Sequence, residues 1–397
     1  MSQTFDVVVL GAGMSGLSFA RRVAQAGRRV LLLEAATRAG GCVRSERLPD
    51  GFWFELGAHT LYNSYGSLLT LVEQVGLLDK LQRRQKPPYR LLIDGQLRSI
   101  PSQLKLSELF GSAWRAFTER KEGKTVADYY GRLVGRQNYQ RIIGPVLSAV
   151  PSQRADQFPA EMLFKKRPRR KELPRTFTFA GGLQTLADAL AAHPGIELRT
   201  QAAARSVTRA GQGFVLDVAG MGRIEGNRLA LAVPPPVGAT LLQTVAPEIA
   251  RSLATIHTAA VDTLGIVARA ADLRLPRVAG LFPIDDIFLS VVSRDVVPDP
   301  ERRGLAFHFR TGLTLDQRVA RVCEVTGLRR EQFLCLASHA ATLPSPALGH
   351  AEIVKALDAQ LPGTGLYLVG NYFGGLAIED CSLRAAAEAE RLAAEST

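Results

Sequence analysis

Cysteine is scarce in this 397-residue chain: Cys42, Cys323, Cys335 and Cys381 are scattered, and no two form a CxxC pair. The six histidines show no metal-ligand spacing. Neither a structural metal nor a disulfide framework is therefore expected, and the cysteine usage suits a reducing cytoplasm. Long apolar runs are missing too. Each apolar stretch is broken by charge, Pro or Gly before the roughly 18 to 20 residues that a bilayer-spanning helix needs. The opening MSQTFDVVVLGAG has no basic lead and no cleavage site, so a secretory signal is not expected. Internal repeats and low-complexity tracts are absent. Acidic residues are outnumbered, 37 against 49 Lys and Arg, for a net charge of +12. That excess suits anionic partners such as acidic substrates or lipid headgroups. No RNA-binding signature or base-reading basic helix accompanies it, so nucleic acid is not expected as a partner. What remains is 46% hydrophobic content, enough to build a core divided between two or three lobes.

The most informative segment needs its context as well as its letters. Phe5 to Leu10 (FDVVVL) reads as a strand buried on both faces. GAGMSG follows, with Gly11, Gly13 and Gly16 in GxGxxG spacing and Met14 and Ser15 between them, opening an amphipathic helix to about Ala26. Gly27 closes the helix, RRVLLLE supplies a second strand, and Glu34 stands at its end beside Ala35. In such a unit Gly11 permits the tight turn, Gly13 lets the backbone approach a pyrophosphate, and Gly16 lets helix and strand pack closely. Glu34 can accept hydrogen bonds from an adenosine ribose. The pyrophosphate charge then meets free N–H groups at a helix N-terminus. This much suits NAD or FAD.

After Glu34 the chain reads AATRAGGCVRSERLPDGFWFELGAHTLY. Arg38, Gly40, Gly41 and Arg44 match the RxGGxxxS/T segment of the flavin amine oxidase superfamily, and within it GGCVRSERLPDGFWFELGAHTLY resembles the protoporphyrinogen oxidases. By resemblance, Gly40 and Gly41 pass the cofactor phosphates, Arg38 lies along the adenosine half, and Gly57 and Ala58 border the flavin ring. The far end, GLYLVGNYFGGLAIEDCSLRAAAE, is similar to the C-terminal motif of the same group. Gly370, Asn371, Gly375, Ala377, Ile378, Asp380 and Cys381 fall on its positions. There a helix N-terminus near Ile378 would aim N–H groups at the edge of the flavin that becomes negative on reduction. Asp380 is expected to be a cap or first-turn acid and not a catalyst. Neither Cys42 nor Cys381 lies in the SGGCYT-like context used for covalent attachment, so noncovalent FAD is expected.

The resemblance implies an α/β fold: a discontinuous Rossmann-type FAD-binding domain, an α+β substrate-binding domain and a helical lobe. Its expected segments are 1–81, 178–236 and 355–397 for FAD, 82–177 for the substrate and helical lobe, and 237–354 for the substrate domain. Within these, Ser67 to Leu81 reads as helical and Asp94-Gly95 as a hairpin turn. Leu106, Leu109, Phe110, Ala113, Trp114 and Phe117 recur at helical spacing. The run KKRPRRKELPR, Lys165 to Arg175, holds seven cations in eleven positions. The apolar stripe is either the inner face of a core helix or, together with the basic run, the two attractions of a peripheral contact with an anionic membrane.

The implied activity is transfer of hydride to flavin from a small hydrophobic substrate, tetrapyrrole-like and carboxylated, with oxygen or a quinone as electron acceptor. Arg90, in YRLLIDG, falls where the resemblance puts a substrate-carboxylate anchor, and a guanidinium fork suits that task. A solvated hairpin arginine is the alternative. His59, next to Gly57 and Ala58, is either a proton relay or a packed neighbour. The family's central GVFAGD-like patch is here only SAVPSQRADQF, which leaves the substrate open. A flavin amine oxidase, a carotenoid-type desaturase and a non-catalytic flavin-binding protein remain as alternatives.

Overall fold

The computed structural model describes residues 4–112 and 114–395. The β-branched run at the start forms the strand Thr4–Leu10, at the heart of a seven-stranded sheet. Val30–Leu33 lies parallel to it on one side and Gly222–Leu231 on the other. Ile196–Arg199 extends the first side. Beyond Gly222–Leu231 come Gly213–Val218 and Ala204–Ala210, antiparallel, while Leu366–Leu368 pairs with Leu229 to Leu231. Both faces are covered, as parallel strands require. Met14–Gln25, Gln184–Ala191 and Ile378–Ala394 close one face over Leu17, Phe19, Leu186, Leu190, Ala385 and Leu392. Pro235–Leu242, Pro247–Ala254 and His350–Gln360 close the other over Leu241, Leu253 and Leu357. The two helices after Pro234 thus pack on this first sheet, although all but Pro235 and Pro236 lie in the segment 237–354 expected for the substrate domain.

A second seven-stranded sheet runs Cys335–Pro344, Thr258–Arg269, Arg302–Arg310, Phe288–Ser293, Gly280–Pro283, Tyr89–Ile93, Gln96–Arg98. The last two strands turn at Asp94 and Gly95, with φ of 48° and 73°, the mirror-image turn that matches strand twist. Helix Leu315–Thr326 covers one face, started by a Thr314–Gln317 capping box and stopped by left-handed Gly327. A buried ion pair braces the sheet: Arg303 reaches Asp295 through Nε at 2.9 Å and Nη2 at 2.6 Å.

Between the strands Gln96–Arg98 and Thr176–Phe179 lies a lobe of short helices with a small core around Val126, Tyr139, Leu147 and Phe158. Thr176–Phe179 pairs with Leu61–Tyr62 and Leu81–Arg83 in a three-stranded sheet. Two local expectations are corrected. The helix expected over Ser67 to Leu81 spans Gly66–Gln74, because Gly76 at φ 66° ends it and Leu81–Arg83 is then a strand. The stripe is two short helices, Leu106–Ser112 and Arg115–Thr118, and it is not core: Phe110 is 78% and Phe117 93% exposed, with Leu106 and Trp114 exposed as well. Leu109 is half-buried, and Ala113 lies outside the described residues.

Candidate active site

The glycine turn joins the first strand to Met14–Gln25, and its two later glycines serve different ends. At Gly16 an added Cβ would stand 1.9 Å from the Gly11 carbonyl oxygen, so the protein itself forbids a side chain there. At Gly13 the nearest atom would be Gly41 Cα at 3.9 Å, so protein packing does not demand glycine at that position. Gly13 faces the second glycine pair, and Gly40 N–H donates to the Ala12 carbonyl at 2.8 Å. A groove floored by bare backbone results, next to the N-terminus of a helix whose first turn carries no acid. Ser15 lies in that first turn, buried. Glu34 ties the groove together: its carboxylate accepts from Ala12 N–H at 2.8 Å and Ala36 N–H at 2.9 Å, one on each oxygen. Ala35 lies exposed between these anchors.

Two arginines bracket the Gly40–Gly41 pair in the chain. Arg38 is engaged, with Glu46 at 2.8 Å and the Ser45 carbonyl at 3.1 Å. Arg44 makes no hydrogen bond or ion pair among the described residues, and burial and Arg38 lower its pKa.

The C-terminal turn closes the same groove. Gly370 and Asn371 follow the strand Leu366–Leu368, and Gly375 and Ala377 lead into the helix beginning at Ile378. No side chain caps that N-terminus. Its first-turn acids face elsewhere: Glu379 accepts from the N–H groups of Ser67 and Leu68 at 2.9 and 3.0 Å, and Asp380 pairs with Arg167 at 2.6 Å and Lys165 at 3.3 Å. Asp380 is thus a buttress. Burial raises the Cys42 thiol and pushes Cys381 up to about 12, which leaves both protonated and unreactive. Gly57 and Ala58 join the groove through Cys42, whose carbonyl accepts from Ala58 N–H at 2.8 Å.

Beyond Ala58 the first lobe meets the second sheet. The His59 ring faces the Gly57 carbonyl through Nδ1 at 3.2 Å, so the proton sits on Nδ1 and Nε2 keeps a lone pair. Burial, then Arg84, hold its pKa near 3, so the ring is neutral. Opposite it, the adjacent strand positions His339, Thr263 and His308 line up across the sheet. His308 Nδ1 lies 2.9 Å from Thr263 Oγ1, and the buried Ser290 hydroxyl, on the next strand, has no partner. Burial pushes His308 down to about 4, and burial with Arg44 and Arg38 does the same to His339. Sequence reasoning passed over this row. Its signal was the alternation in AFHFR, where Phe307 and Phe309 point into one core and His308 points the other way.

The same alternation separates Arg90 from the site. Arg90 is in register with Leu281, which pairs with Val291 and through it with Phe307, all on the face packed under Leu315–Thr326. Its neighbour Tyr89 is in register with Gly280 and Val292 on the face toward His59, stacked on Phe282 at 5.4 Å. Arg90 and His59 are therefore not brought together.

The basic run is divided. Lys165 and Arg167 hold Asp380, and Arg170 pairs with Glu73 and with Glu172, the latter at 2.8 Å. Arg169, Lys171 and Arg175 line an open cleft of about 590 Å³ with Arg83 and Asn63. Among the described residues no group of His, Cys, Asp and Glu could hold a metal ion, and no helix is long and apolar enough to cross a membrane.

Comparison with known proteins bears on this geometry. The 15-cis-phytoene desaturase of Arabidopsis thaliana is 39% identical over 84 residues, covering 21% of this chain and 15% of the desaturase. The chain thus spans about a seventh of the plant desaturases it matches. The protoporphyrinogen oxidase of Bos taurus is 27% identical, covering 94% of this chain and 95% of its own length. Among solved structures, a protein of Exiguobacterium sp. 255-15 provisionally named a protoporphyrinogen oxidase superposes with a TM-score of 0.80, 20% identity and full coverage of both chains. A putrescine oxidase bound to putrescine superposes at 0.71 with 16% identity, covering 99% of this chain and 100% of its own. The family described as flavin containing amine oxidoreductase matches residues 14–271. That match covers more than half of the chain, which therefore belongs to the flavin containing amine oxidoreductase family.

Proposed function

We propose that this chain is an FAD-dependent oxidase of protoporphyrinogen oxidase type, oxidising a hydrophobic, tetrapyrrole-like carboxylated substrate. The observation that carries FAD is Gly13. Its side-chain space is free of protein, so its glycine suits a second molecule and not the fold. The residues fit that cofactor, in a Rossmann-type unit. Gly11 to Gly16 with Gly40 and Gly41 would take the pyrophosphate, and the unpartnered Arg44 would supply a countercharge. Glu34 keeps lone pairs for a ribose, and the uncapped helix at Ile378 offers N–H groups to a ring edge that gains negative charge. Bound there, the flavin supplies a two-electron acceptor.

The chain's own part is to position and desolvate. His339, His308 and His59 are neutral, so these three rings offer polar groups without charge to the reacting centre. His59 Nε2, with its lone pair, would accept a hydrogen bond from a substrate N–H or C–H flank. The near full-length relation to a protoporphyrinogen oxidase favours this reading over an amine oxidase or a desaturase, whose relation covers a fifth of the chain or the fold alone. Oxygen or a quinone would reoxidise the flavin. The exposed Phe110, Trp114 and Phe117, with the free cations of the basic run, support a peripheral contact with an anionic membrane.

Anaerobic mixing of the yellow holoprotein with protoporphyrinogen IX, coproporphyrinogen III, a polyamine and a polyene tests the reading. Bleaching by a porphyrinogen is expected. Bleaching by the polyamine or polyene alone would replace it, and no bleaching at all would leave a flavin binder.

A further inference from the structure

A small cavity of about 10 Å³, room for one oxygen-sized atom, lies where the strand Trp53–Glu55 meets the second sheet. Glu55, His59, Arg84, Thr178 and Arg294 line it, with apolar Val292 and Ala306 opposite. Three of these side chains keep an unpartnered buried polar group: Arg84 Nε, Arg294 Nη1 and Thr178 Oγ1. Arg84 is 7% and Thr178 1% exposed. Neither guanidinium makes an ion pair among the described residues. Arg84 donates to Thr60 Oγ1, and Arg294 donates to the Trp53 carbonyl at 3.0 Å and stacks over the Phe52 and Trp53 rings. The nearest acids, Glu55 in the cavity wall among them, are already engaged by other donors. Glu55 accepts from Ser45 Oγ and Leu183 N–H, Asp295 holds Arg303, and Asp299 accepts from Glu301 and Arg302 N–H.

A buried guanidinium, Arg84, and a half-buried one with a buried Nη1, Arg294, are costly without an ion pair unless something negative joins them. Among the groups left unpartnered, Arg84 Nε and Arg294 Nη1 can only donate and the Thr178 hydroxyl can donate as well, so an acceptor-only atom matches them. We propose that this cavity is an anion subsite that takes one carboxylate oxygen of the substrate, so Arg84 and Arg294, and not Arg90, read its acid group. The part of this that concerns substrate rests on the oxidase reading; the anion site itself does not.

The test uses the holoprotein and two probes, bromide and formate, titrated while thermal unfolding is followed. Wild type should show a saturable rise in Tm. Arg84→Gln should weaken the apparent affinity for both anions at least tenfold, and Arg294→Gln likewise. Arg83→Gln, which removes the same charge next door but outside the cavity, should not. Arg84→Lys, keeping the charge, guards against loss through misfolding and should retain part of the affinity. Equal anion affinity in wild type and Arg84→Gln overturns the site. In steady state, formate should raise KM for protoporphyrinogen IX with kcat unchanged; absence of competition overturns the assignment to substrate. Should protoporphyrinogen prove not to be oxidised, the anion titration still decides the cavity, so the two failures are separable.

Discussion

Glu55 offers a sharp test of how burial shapes this molecule. Its carboxyl is 8% exposed, and burial raises its pKa from 4.5 to about 7, against the opposing pull of Ser45, Leu183 N–H, Arg84 and Arg294. A raised carboxyl pKa means that the folded protein binds a proton more tightly than the unfolded chain. Its contribution is therefore fully favourable below pH 4.5 and is lost as pH rises to about 7. A shift of that size is worth about 3 kcal/mol. Glu55→Gln never ionises, and its amide can still accept from Leu183 N–H while donating to Ser45 Oγ. Urea unfolding at pH 4.5 and pH 8 should show the variant gaining about 3 kcal/mol relative to wild type at the higher pH, with the m-value unchanged. Parallel stability profiles across that interval would refute the reasoning, because they would mean that Glu55 ionises in the fold as freely as in water.

Four further outcomes follow from the geometry. Gly13→Ala should fold normally and purify with little flavin, whereas Gly16→Ala, with its Cβ 1.9 Å from a carbonyl oxygen, should fail to fold; circular dichroism and visible absorbance separate the two. Arg90→Ala should leave the flavin spectrum and the KM for a carboxylated substrate within about twofold, since alternation turns its side chain from the site. Arg303→Met strands the buried Asp295 and should cost about 3 to 5 kcal/mol in urea unfolding. Replacing Phe110, Trp114 and Phe117 by Ser removes about 2 kcal/mol of apolar burial per ring, so sedimentation with anionic vesicles at low salt should be abolished; unchanged sedimentation would disconnect these rings from lipid.

Local features were readable where one residue type can satisfy one backbone need. The glycine turn, the Asp94-Gly95 hairpin and the helix start at Ile378 fall where the sequence puts them, because each is fixed by neighbours in the chain. Arg90 and the apolar stripe could not be settled in that way. Both depend on which face of a strand or helix is covered, and the cover comes from residues 315–326 for one and from nothing described for the other. His308, Thr263, Arg84 and Arg294 were invisible for a related reason. Each is an ordinary strand or loop residue in sequence, and it gains meaning from residues more than about two hundred positions away in the chain, His59 for His308 and Thr263, and Trp53 and Arg84 for Arg294. Even so, AFHFR shows that a lone polar residue between two aromatics in a strand is worth marking.

The packing of Ile378–Ala394 on Met14–Gln25 has a consequence for how the protein comes into being. Arg22 donates to the Ser67 and Ser382 hydroxyls at 2.9 and 3.2 Å, tying two early helices to one that follows most of the chain later. During synthesis the first of them leaves the ribosome long before the last, so the apolar face over Leu17 and Phe19 must wait uncovered. Contacts of such sequence separation form slowly. The nascent chain is thus exposed to aggregation until Ile378–Ala394 docks, and on the proposed reading flavin would load only once both ends of the groove have been made.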